Sequence, residues 1–175
     1  MNHNSFIHTL IKKNPNNLLW GLSLSLLIIV LDQASKWWVV STIKSTTLII
    51  PITTYFNIVL THNRGVSFGL FASDMPETRW LLIALTIIIS FILIWWLKSA
   101  QTRTAMIAYG LIIGGAIGNI TDRVLVGAVV DFLDFHIFGF HWPAFNLADT
   151  AICIGAISLI LESIFFDKNS TDPEA

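Results

Sequence analysis

Charged side chains are scarce in this sequence of 175 residues. Asp, Glu, Lys and Arg make up 12% of it, about half the share usual in a soluble domain. Hydrophobic residues make up 54%, and the mean hydropathy is +0.71. A water-soluble protein of this size could not bury so much apolar surface, so the natural solvent of the chain is a lipid bilayer.

A surplus of basic residues and a second cysteine are also lacking. The net charge is −1, so no basic stripe can neutralise phosphates, and we expect no nucleic acid as a partner. The single Cys153 lies in an apolar run, which excludes an intramolecular disulfide. We expect Cys153 to be a small buried hydrophobic residue and not a nucleophile or a metal ligand.

Four apolar stretches are each long enough to cross a membrane, which takes about 20 residues. They cover residues 18–40, 80–97, 104–123 and 146–166. The first could be mistaken for a cleaved signal peptide, but its apolar character resumes at Trp37–Val40, so we expect an uncleaved helix. The sequence therefore predicts an all-α membrane protein: one embedded domain over residues 1–175, built as a four-transmembrane-helix bundle.

The orientation follows from the basic residues near the ends of the spans. Lys12 and Lys13 precede the first span, Lys98 and Arg103 separate the second from the third, and Lys168 follows the fourth. All of these fall on one side of a four-span protein. We expect both termini in the cytoplasm of a bacterium, with the chain crossing its inner membrane.

The two outer segments are residues 41–79 and 124–145. Thr46–Ile52 and Tyr55–Thr61 are rich in Thr, Ile and Val, which predicts a small extracytoplasmic β-sheet at the membrane surface. Residues 131–143 mix aromatic residues with Gly, His and Asp, which predicts an interfacial amphipathic stretch. The histidines of these segments form no HExxH-like pair, so we expect no metal site there.

Ionisable residues inside spans are candidates for function because they are costly to bury in lipid. Asp32 and Lys36 share a helix face at i, i+4, although a purely structural ion pair is an equal alternative. Ser35 is adjacent to Lys36 and faces elsewhere, which argues against a Ser/Lys nucleophile. In the third span, Gly110, Gly114 and Gly118 form a ridge of small residues that predicts close helix packing.

Further polar residues follow towards the outer side. Asn119, Asp122 and Arg123 share one helix face, and an interhelical hydrogen-bond clamp is the structural alternative for them. Asp131 follows the third span, and Asn146 and Asp149 open the fourth. Taken singly, Asp131 could be an ordinary loop acid, and Asp149 could be a charge that complements the helix dipole.

The depth of these residues makes the combination informative. At the α-helical rise, Asp32 lies about 21 Å from the inner end of its span, and Asn119 and Arg123 lie about 23–29 Å from the inner end of theirs. Asp131, Asn146 and Asp149 belong to the outer side as well. Residues far apart in sequence therefore meet in one layer near the outer membrane surface.

Two carboxylates in one apolar site suit peptide hydrolysis. Asp131 and Asp149 cannot both ionise easily if they are close, so one keeps a proton near neutral pH. The charged one can activate water as a general base, while the protonated one polarises the carbonyl and protonates the leaving nitrogen. Glycoside hydrolysis would need a roomier polar cleft for sugars.

The sequence resembles a known family, lipoprotein signal peptidase, also called signal peptidase II. Five motifs occur in order from the first span to the last: Asp32–Lys36 (DQASK), Asn63–Phe68 (NRGVSF), Gly118–Arg123 (GNITDR), Val129–Phe132 (VVDF) and Phe145–Asp149 (FNLAD). The departure is Val66-Ser67 where the family often has Ala-Ala, which leaves Asn63 and Gly65 in place.

The resemblance implies a membrane aspartyl endopeptidase. It implies that Asp131 and Asp149 are catalytic, and that further residues bind substrate or support the site: Asp32, Lys36, Asn63, Gly65, Asn119, Asp122, Arg123 and Asn146. The implied substrates are diacylglyceryl-modified prolipoproteins, cut just before the lipidated cysteine at the outer leaflet. No metal or cofactor is implied; the expected partners are these substrates and membrane lipid, and the expected state is a monomer.

Two functions of other classes compete with this interpretation. A small ion- or proton-coupled transporter would use intramembrane Asp, Lys and Arg, but the charges cluster at one depth, and no ionisable residue lies between Arg79 and Lys98. A structural or assembly subunit would explain the glycine ridge and leave the carboxylates without a role.

Overall fold

The computed structural model describes residues 16–43, 49–65 and 76–168. The predicted features at Lys12 and Lys13, at residues 46–48 of the first predicted strand and at Val66–Phe68 lie outside these residues. The elements are α1 (Asn17–Thr42), β1 (Ile49–Pro51), β2 (Phe56–Asn63), α2 (Pro76–Lys98), α3 (Arg103–Leu125), β3 (Val129–Ile137), β4 (Phe140–His141) and α4 (Leu147–Lys168). The fold is a bundle of four apolar helices with a small antiparallel sheet, as the sequence predicted.

All four helices are long and apolar enough to cross a membrane. Residues suited to a helix start mark the first turns of α2 and α3. Helix α2 begins at Pro76, earlier than the predicted Trp80, since proline suits a first helical turn, where an N–H would have no partner. The hydroxyl of Thr102 caps α3 by accepting a hydrogen bond from the Ala105 N–H at 3.0 Å.

Helix α3 is the centre of the bundle, because it packs against α1, α2 and α4. Its small residues allow this. A Cβ on Gly114 would lie 2.7 Å from the Ser25 carbonyl oxygen of α1, and one on Gly115 would lie 2.4 Å from the Ala148 carbonyl oxygen of α4. The predicted glycine ridge thus faces α1, and Gly115 provides a second close approach on the α4 side.

The sheet has the order β1-β2-β3-β4 and joins both outer segments. Strand β2 pairs with β3 so that Thr61 lies opposite Asp131 and Asn63 lies opposite Val129, with an irregularity between Ile58 and Thr61. Strand β3 begins four residues after α3 ends, so the sheet is attached directly to the C-terminal end of the central helix.

The sequence prediction for residues 131–143 was incomplete. Instead of an interfacial stretch alone, most of this segment forms β3 and β4, which pair as a hairpin. Phe138 and Gly139 both have positive φ at its turn. The mixture of Gly, His and aromatics gave no clear alternating pattern for either strand, and the pairing of β3 with β2 is a contact between residues far apart in the sequence. The aromatic side chains at the hairpin tip are exposed, Phe138 fully so.

We predict that Gly115→Ala lowers the free energy of unfolding by about 1–3 kcal/mol, the usual range for overpacking a tight contact. Helix propensity alone would favour alanine. A lower free energy of unfolding would therefore reflect the close contact of the added Cβ with the Ala148 carbonyl oxygen. Thermal unfolding in detergent checks the prediction.

The control is Ile107→Ala, at an exposed position of the same helix. An unchanged or higher midpoint temperature of unfolding for Gly115→Ala would show that α3 and α4 can move apart with little loss of stability.

Candidate active site

Asp131 lies in β3 with its side chain buried. Both of its carboxylate oxygens accept amide hydrogen bonds: Oδ2 from Asn63 Nδ2 at 3.1 Å and Oδ1 from Asn146 Nδ2 at 2.7 Å. Asn63 is the last residue of β2 and a diagonal cross-strand neighbour of Asp131. The pairing of β2 with β3 therefore brings the first of these amides to the carboxylate.

Asp149 lies in the first turn of α4, where it forms a reciprocal cap with Asn146. Asn146 Oδ1 accepts from the Asp149 N–H at 2.9 Å, and Asp149 Oδ2 accepts from the Asn146 N–H at 3.2 Å. This is the capping-box arrangement, with an aspartate at the third helical position. The other oxygen, Oδ1, accepts from Asn119 Nδ2 at 2.9 Å.

Asn146 is the residue that joins the two acids. Its backbone N–H binds Asp149, and its side-chain Nδ2 binds Asp131. Asn146 is fully buried, so it offers these donors in an environment with little competing water. The structure thus brings the two predicted catalytic carboxylates to opposite sides of one small residue.

The surroundings make the proton affinity of Asp131 unusual. Burial raises its pKa, and the negative charge of Asp149 raises it further, whereas hydrogen bonds from Asn63 and Asn146 and the charge of Lys36 lower it. The net result raises the pKa of Asp131 to about 7. Asp131 therefore exchanges a proton near neutral pH, as a catalytic acid or base must.

Asp134, three positions further along the same strand, shows the opposite balance. It is also buried, which by itself raises its pKa, but hydrogen bonds from His141 and Asn57 outweigh burial and hold the pKa of Asp134 below its usual value. Burial alone therefore does not explain Asp131. The pKa values of the two acids shift in opposite directions for two reasons. Among the described residues, no cationic side chain forms a salt bridge with Asp131, and the negative charge of Asp149 lies near it.

Beneath the two aspartates lies a buried cluster centred on Lys36. Its Nζ contacts Asp32 Oδ2 at 2.8 Å, Asp122 Oδ2 at 2.8 Å and Asn119 Oδ1 at 3.1 Å, and the three charged side chains are almost completely buried. Such a cluster is stable only when its members are mutually satisfied. It links α1 to α3, so the predicted interhelical clamp exists.

This cluster also holds the backbone beside each catalytic candidate. Asp122 Oδ2 accepts from the Val130 N–H at 3.0 Å, next to Asp131. Asp32 Oδ1 accepts from the Ala148 N–H at 3.0 Å, next to Asp149. The ionic cluster consequently fixes the positions from which both carboxylates project.

Arg123 holds the turn that follows β2. Its Nη2 donates to the Gly65 carbonyl oxygen at 2.8 Å, and the Gly65 N–H donates to Asn63 Oδ1 at 3.0 Å. With Oδ1 engaged in this way, the amide of Asn63 presents Nδ2 to Asp131. The segment at residues 63–65 thus orients the amide that donates a hydrogen bond to the carboxylate of Asp131.

Two cavities flank Asp149, with volumes of about 300 and 350 Å³. Asn63, Asp149 and Cys153 line both of them. The first also contains Asp131 and is walled by Trp142 and Phe145. The second reaches between α2 and α4, where apolar residues of α2 such as Leu82 and Ile89 line it. Both are mainly apolar with few polar groups, as expected of a binding cleft.

The ten predicted site residues all meet in this region: Asp32, Lys36, Asn63, Gly65, Asn119, Asp122, Arg123, Asp131, Asn146 and Asp149. The structure agrees with the sequence prediction for Ser35 and contradicts the one for Cys153. Ser35 donates to the Asp32 carbonyl oxygen at 2.7 Å, so it is not a Ser/Lys nucleophile. Cys153 was expected to be buried and is exposed, because its face of α4 borders both cavities.

Sequence reasoning missed Gln33 as a member of the site. Its Nε2 donates to Asp122 Oδ1 at 2.9 Å and to the Gly118 carbonyl oxygen at 3.2 Å, and it also contacts Asp32 Oδ2 at 3.2 Å. Its place between Asp32 and Lys36 in the first motif was the available signal. The roles of the Val130 and Ala148 N–H groups had no signal, because backbone donors carry no residue type.

Comparison with known proteins gives one consistent result. Residues 24–165 match the family model described as signal peptidase (SPase) II. The chain is 44% identical to the lipoprotein signal peptidase of Aeromonas hydrophila over 157 residues, covering 89% of this chain and 93% of that protein. It is 42% identical to the lipoprotein signal peptidase of Xylella fastidiosa strain M12 over 159 residues, covering 90% and 95%.

A solved structure agrees with these relatives. The fold is similar to a bacterial membrane enzyme determined by the in meso method at 2.3 Å resolution, with a TM-score of 0.77, 29% identity, and coverage of 89% of this chain and 93% of that one. With the four candidate spans, these matches support a multi-pass protein of the inner membrane. The chain therefore belongs to the signal peptidase II family of lipoprotein signal peptidases.

Proposed function

We propose that this peptidase is of the aspartic type and uses Asp131 and Asp149 to cleave diacylglyceryl-modified prolipoproteins on the N-terminal side of the lipidated cysteine. The observation that carries the proposal is the bridging Asn146, whose backbone N–H binds Asp149 and whose side chain binds Asp131. Two carboxylates held against one residue form a coupled pair, which is the arrangement that shares a proton.

The two acids then take complementary roles. Asp149, which accepts hydrogen bonds from Asn119 and from the Asn146 N–H, takes the role of the base that accepts a proton from water. Asp131, with a pKa of about 7, is suited to hold the proton and donate it to the carbonyl oxygen of the scissile bond.

Hydrolysis proceeds through a tetrahedral intermediate in this proposal. The water oxygen bonds to the carbonyl carbon as Asp149 accepts the water proton and Asp131 protonates the carbonyl oxygen. When the C–N bond breaks, the leaving nitrogen receives a proton from Asp149, and not from Asp131 as first expected, because Asp131 has already given its proton to the carbonyl oxygen. The hydroxyl proton then returns to Asp131. The products are the carboxyl end of the signal peptide and the free amino group of the lipidated cysteine.

The position of the site suits a substrate that is itself in the membrane. The carboxylates lie at the ends of α3 and α4 that face the sheet, opposite the inner loop with Lys98 and Arg103. With the basic loop in the cytoplasm, both termini are cytoplasmic and the active site is at the outer leaflet. The two largely apolar cavities offer space for a signal-peptide segment and for acyl chains.

We expect Asp131→Asn and Asp149→Asn each to lower the cleavage rate of a lipidated prolipoprotein by about 10²- to 10⁴-fold, the contribution usual for a positioned acid or base. Cleavage in detergent is followed by gel shift, and mass spectrometry of the product locates the cut bond.

Asp134→Asn is the matched control, since Asp134 is a buried acid of the same strand that bonds Asn57 and His141 away from the pair. We expect it to retain most of the activity. Full activity in a folded Asp131 or Asp149 variant would remove that residue from the catalytic pair.

The proposed roles also fix the pH dependence. A carboxyl group is protonated below its pKa, so Asp131 with a pKa of about 7 loses its proton as the pH rises through neutrality. If Asp131 is the acid, kcat/KM falls on that alkaline limb. The pH–rate profile of the wild type, with Asp134→Asn as a parallel control, measures it. A rate that instead rises through pH 7 would exchange the roles of the two acids.

The thiol of Cys153 gives a probe of the cavities, because it is the only cysteine of the chain and borders both. We expect a saturating lipidated prolipoprotein to slow maleimide labelling of Cys153 in the Asp131→Asn variant, which binds substrate without cutting it. As a control, Ile107→Cys in a Cys153→Ala background labels at an exposed position of α3. Equal slowing at both cysteines, or none at Cys153, would contradict the assignment of these cavities to substrate.

A further inference from the structure

A third cavity lies at the opposite end of the bundle from the aspartates. It has a volume of about 600 Å³ and lies between the α2–α3 connection and the last turns of α4. Polar side chains of Ser99, Gln101, Thr102 and Ser163 line it together with Glu162. The proposed catalytic mechanism makes no use of this cavity.

Glu162 is the acid of this cavity and lies inside the fourth candidate span. It is about 22 Å along α4 from the first turn, by the helical rise, and is half-buried. The hydroxyl of Thr102 donates to Glu162 Oε1. Among the described residues, no Lys, Arg or His forms a salt bridge with this carboxylate. An ionisable side chain in a span without an opposite charge is a candidate for ligand binding.

Two aromatic rings stand beside the acid in the same cavity. Trp96 of α2 and Tyr109 of α3 have ring centroids 6.3 Å apart and planes inclined at 53°. The two rings contact each other, and both residues line the cavity. Aromatic faces and a carboxylate both attract an organic ammonium group. The chemistry of the cavity therefore favours a cation.

Two basic residues are next to the cavity wall in the sequence. Lys98 and Arg103 flank the connection that contributes Ser99–Thr102 to the wall, and both side chains are exposed. Their positive charges can attract a phosphate, while Glu162 and the two rings can attract an ammonium group. A zwitterion with both groups close together, located at the membrane surface, matches this pattern.

We propose that this cavity binds the headgroup of an inner-leaflet phosphatidylethanolamine, with its ammonium group between Glu162 and the rings of Trp96 and Tyr109 and its phosphate near Lys98 and Arg103. The site is distinct from the peptidase site and independent of its mechanism. A primary ammonium can also donate hydrogen bonds to the Glu162 carboxylate, which a quaternary ammonium cannot do.

Native mass spectrometry of the delipidated full chain tests this inference. The protein is titrated with dioleoyl phosphatidylethanolamine, phosphatidylcholine and phosphatidylglycerol in separate experiments, and the bound fraction is measured. We expect phosphatidylethanolamine to be retained about fivefold more than phosphatidylglycerol, the effect of one partly exposed charge-assisted contact. Phosphatidylcholine should lie between them.

The decisive variant is Glu162→Gln, because its amide oxygen can still accept from Thr102 while the charge is lost. We expect it to abolish the preference for phosphatidylethanolamine, and Trp96→Leu to weaken it. Glu77→Gln is the matched control, since it removes an exposed carboxylate at the other end of α2, and the preference should persist. Equal retention of all three lipids by the wild type, or an unchanged preference in Glu162→Gln, would overturn the proposal.

Discussion

The contact on which the site depends is the double ion pair of Lys36. One ammonium group neutralises Asp32 from its own helix and Asp122 from the central helix, each at 2.8 Å. Burying three charges is expensive unless they satisfy one another, so the arrangement allows few alternatives. Asp122 and Asp32 also accept hydrogen bonds from the backbone N–H groups next to Asp131 and Asp149. The two ion pairs therefore restrict the positions of both catalytic candidates. Catalytic groups need positioning of this kind, since small displacements reduce rates strongly.

The active site is also a meeting point of two kinds of structure. The sheet supplies Asp131 and Asn63, and the helices supply Asp149, Asn119 and the ionic cluster. Asn146, at the junction before α4, contacts both parts. Helices alone could bury the charges, but the outward turn of the chain into β3 is what brings a second carboxylate over the end of the bundle. The membrane fold and the small sheet are therefore equally necessary to the site.

Much of this could be predicted from the sequence. The long apolar runs specify the four spans, because a bilayer imposes a simple length and polarity rule. Site residues such as Asp32 and Lys36 were found because ionisable groups are conspicuous in such runs, whereas Asn63 and Gly65 were assigned only through the family resemblance. Strand β3 was not predicted, since its pairing with β2 depends on residues about 70 positions away, and the short β4 pairs only with β3. The exposure of Cys153 was missed because an apolar run does not reveal which helix face borders a cavity.

The cap at the start of α4 has a consequence for the dynamics of the enzyme. Asp149 Oδ2 accepts a hydrogen bond from the Asn146 N–H, and the Asp149 N–H donates to Asn146 Oδ1. The proposed base therefore also stabilises the first turn of the helix. Fraying of that turn, which is the commonest local opening of a helix, would dismantle the carboxylate pair without unfolding the bundle. The fraction of molecules competent for catalysis is then governed by the local stability of one helical turn, and amide hydrogen exchange at Ala148 and Asp149 would report it directly.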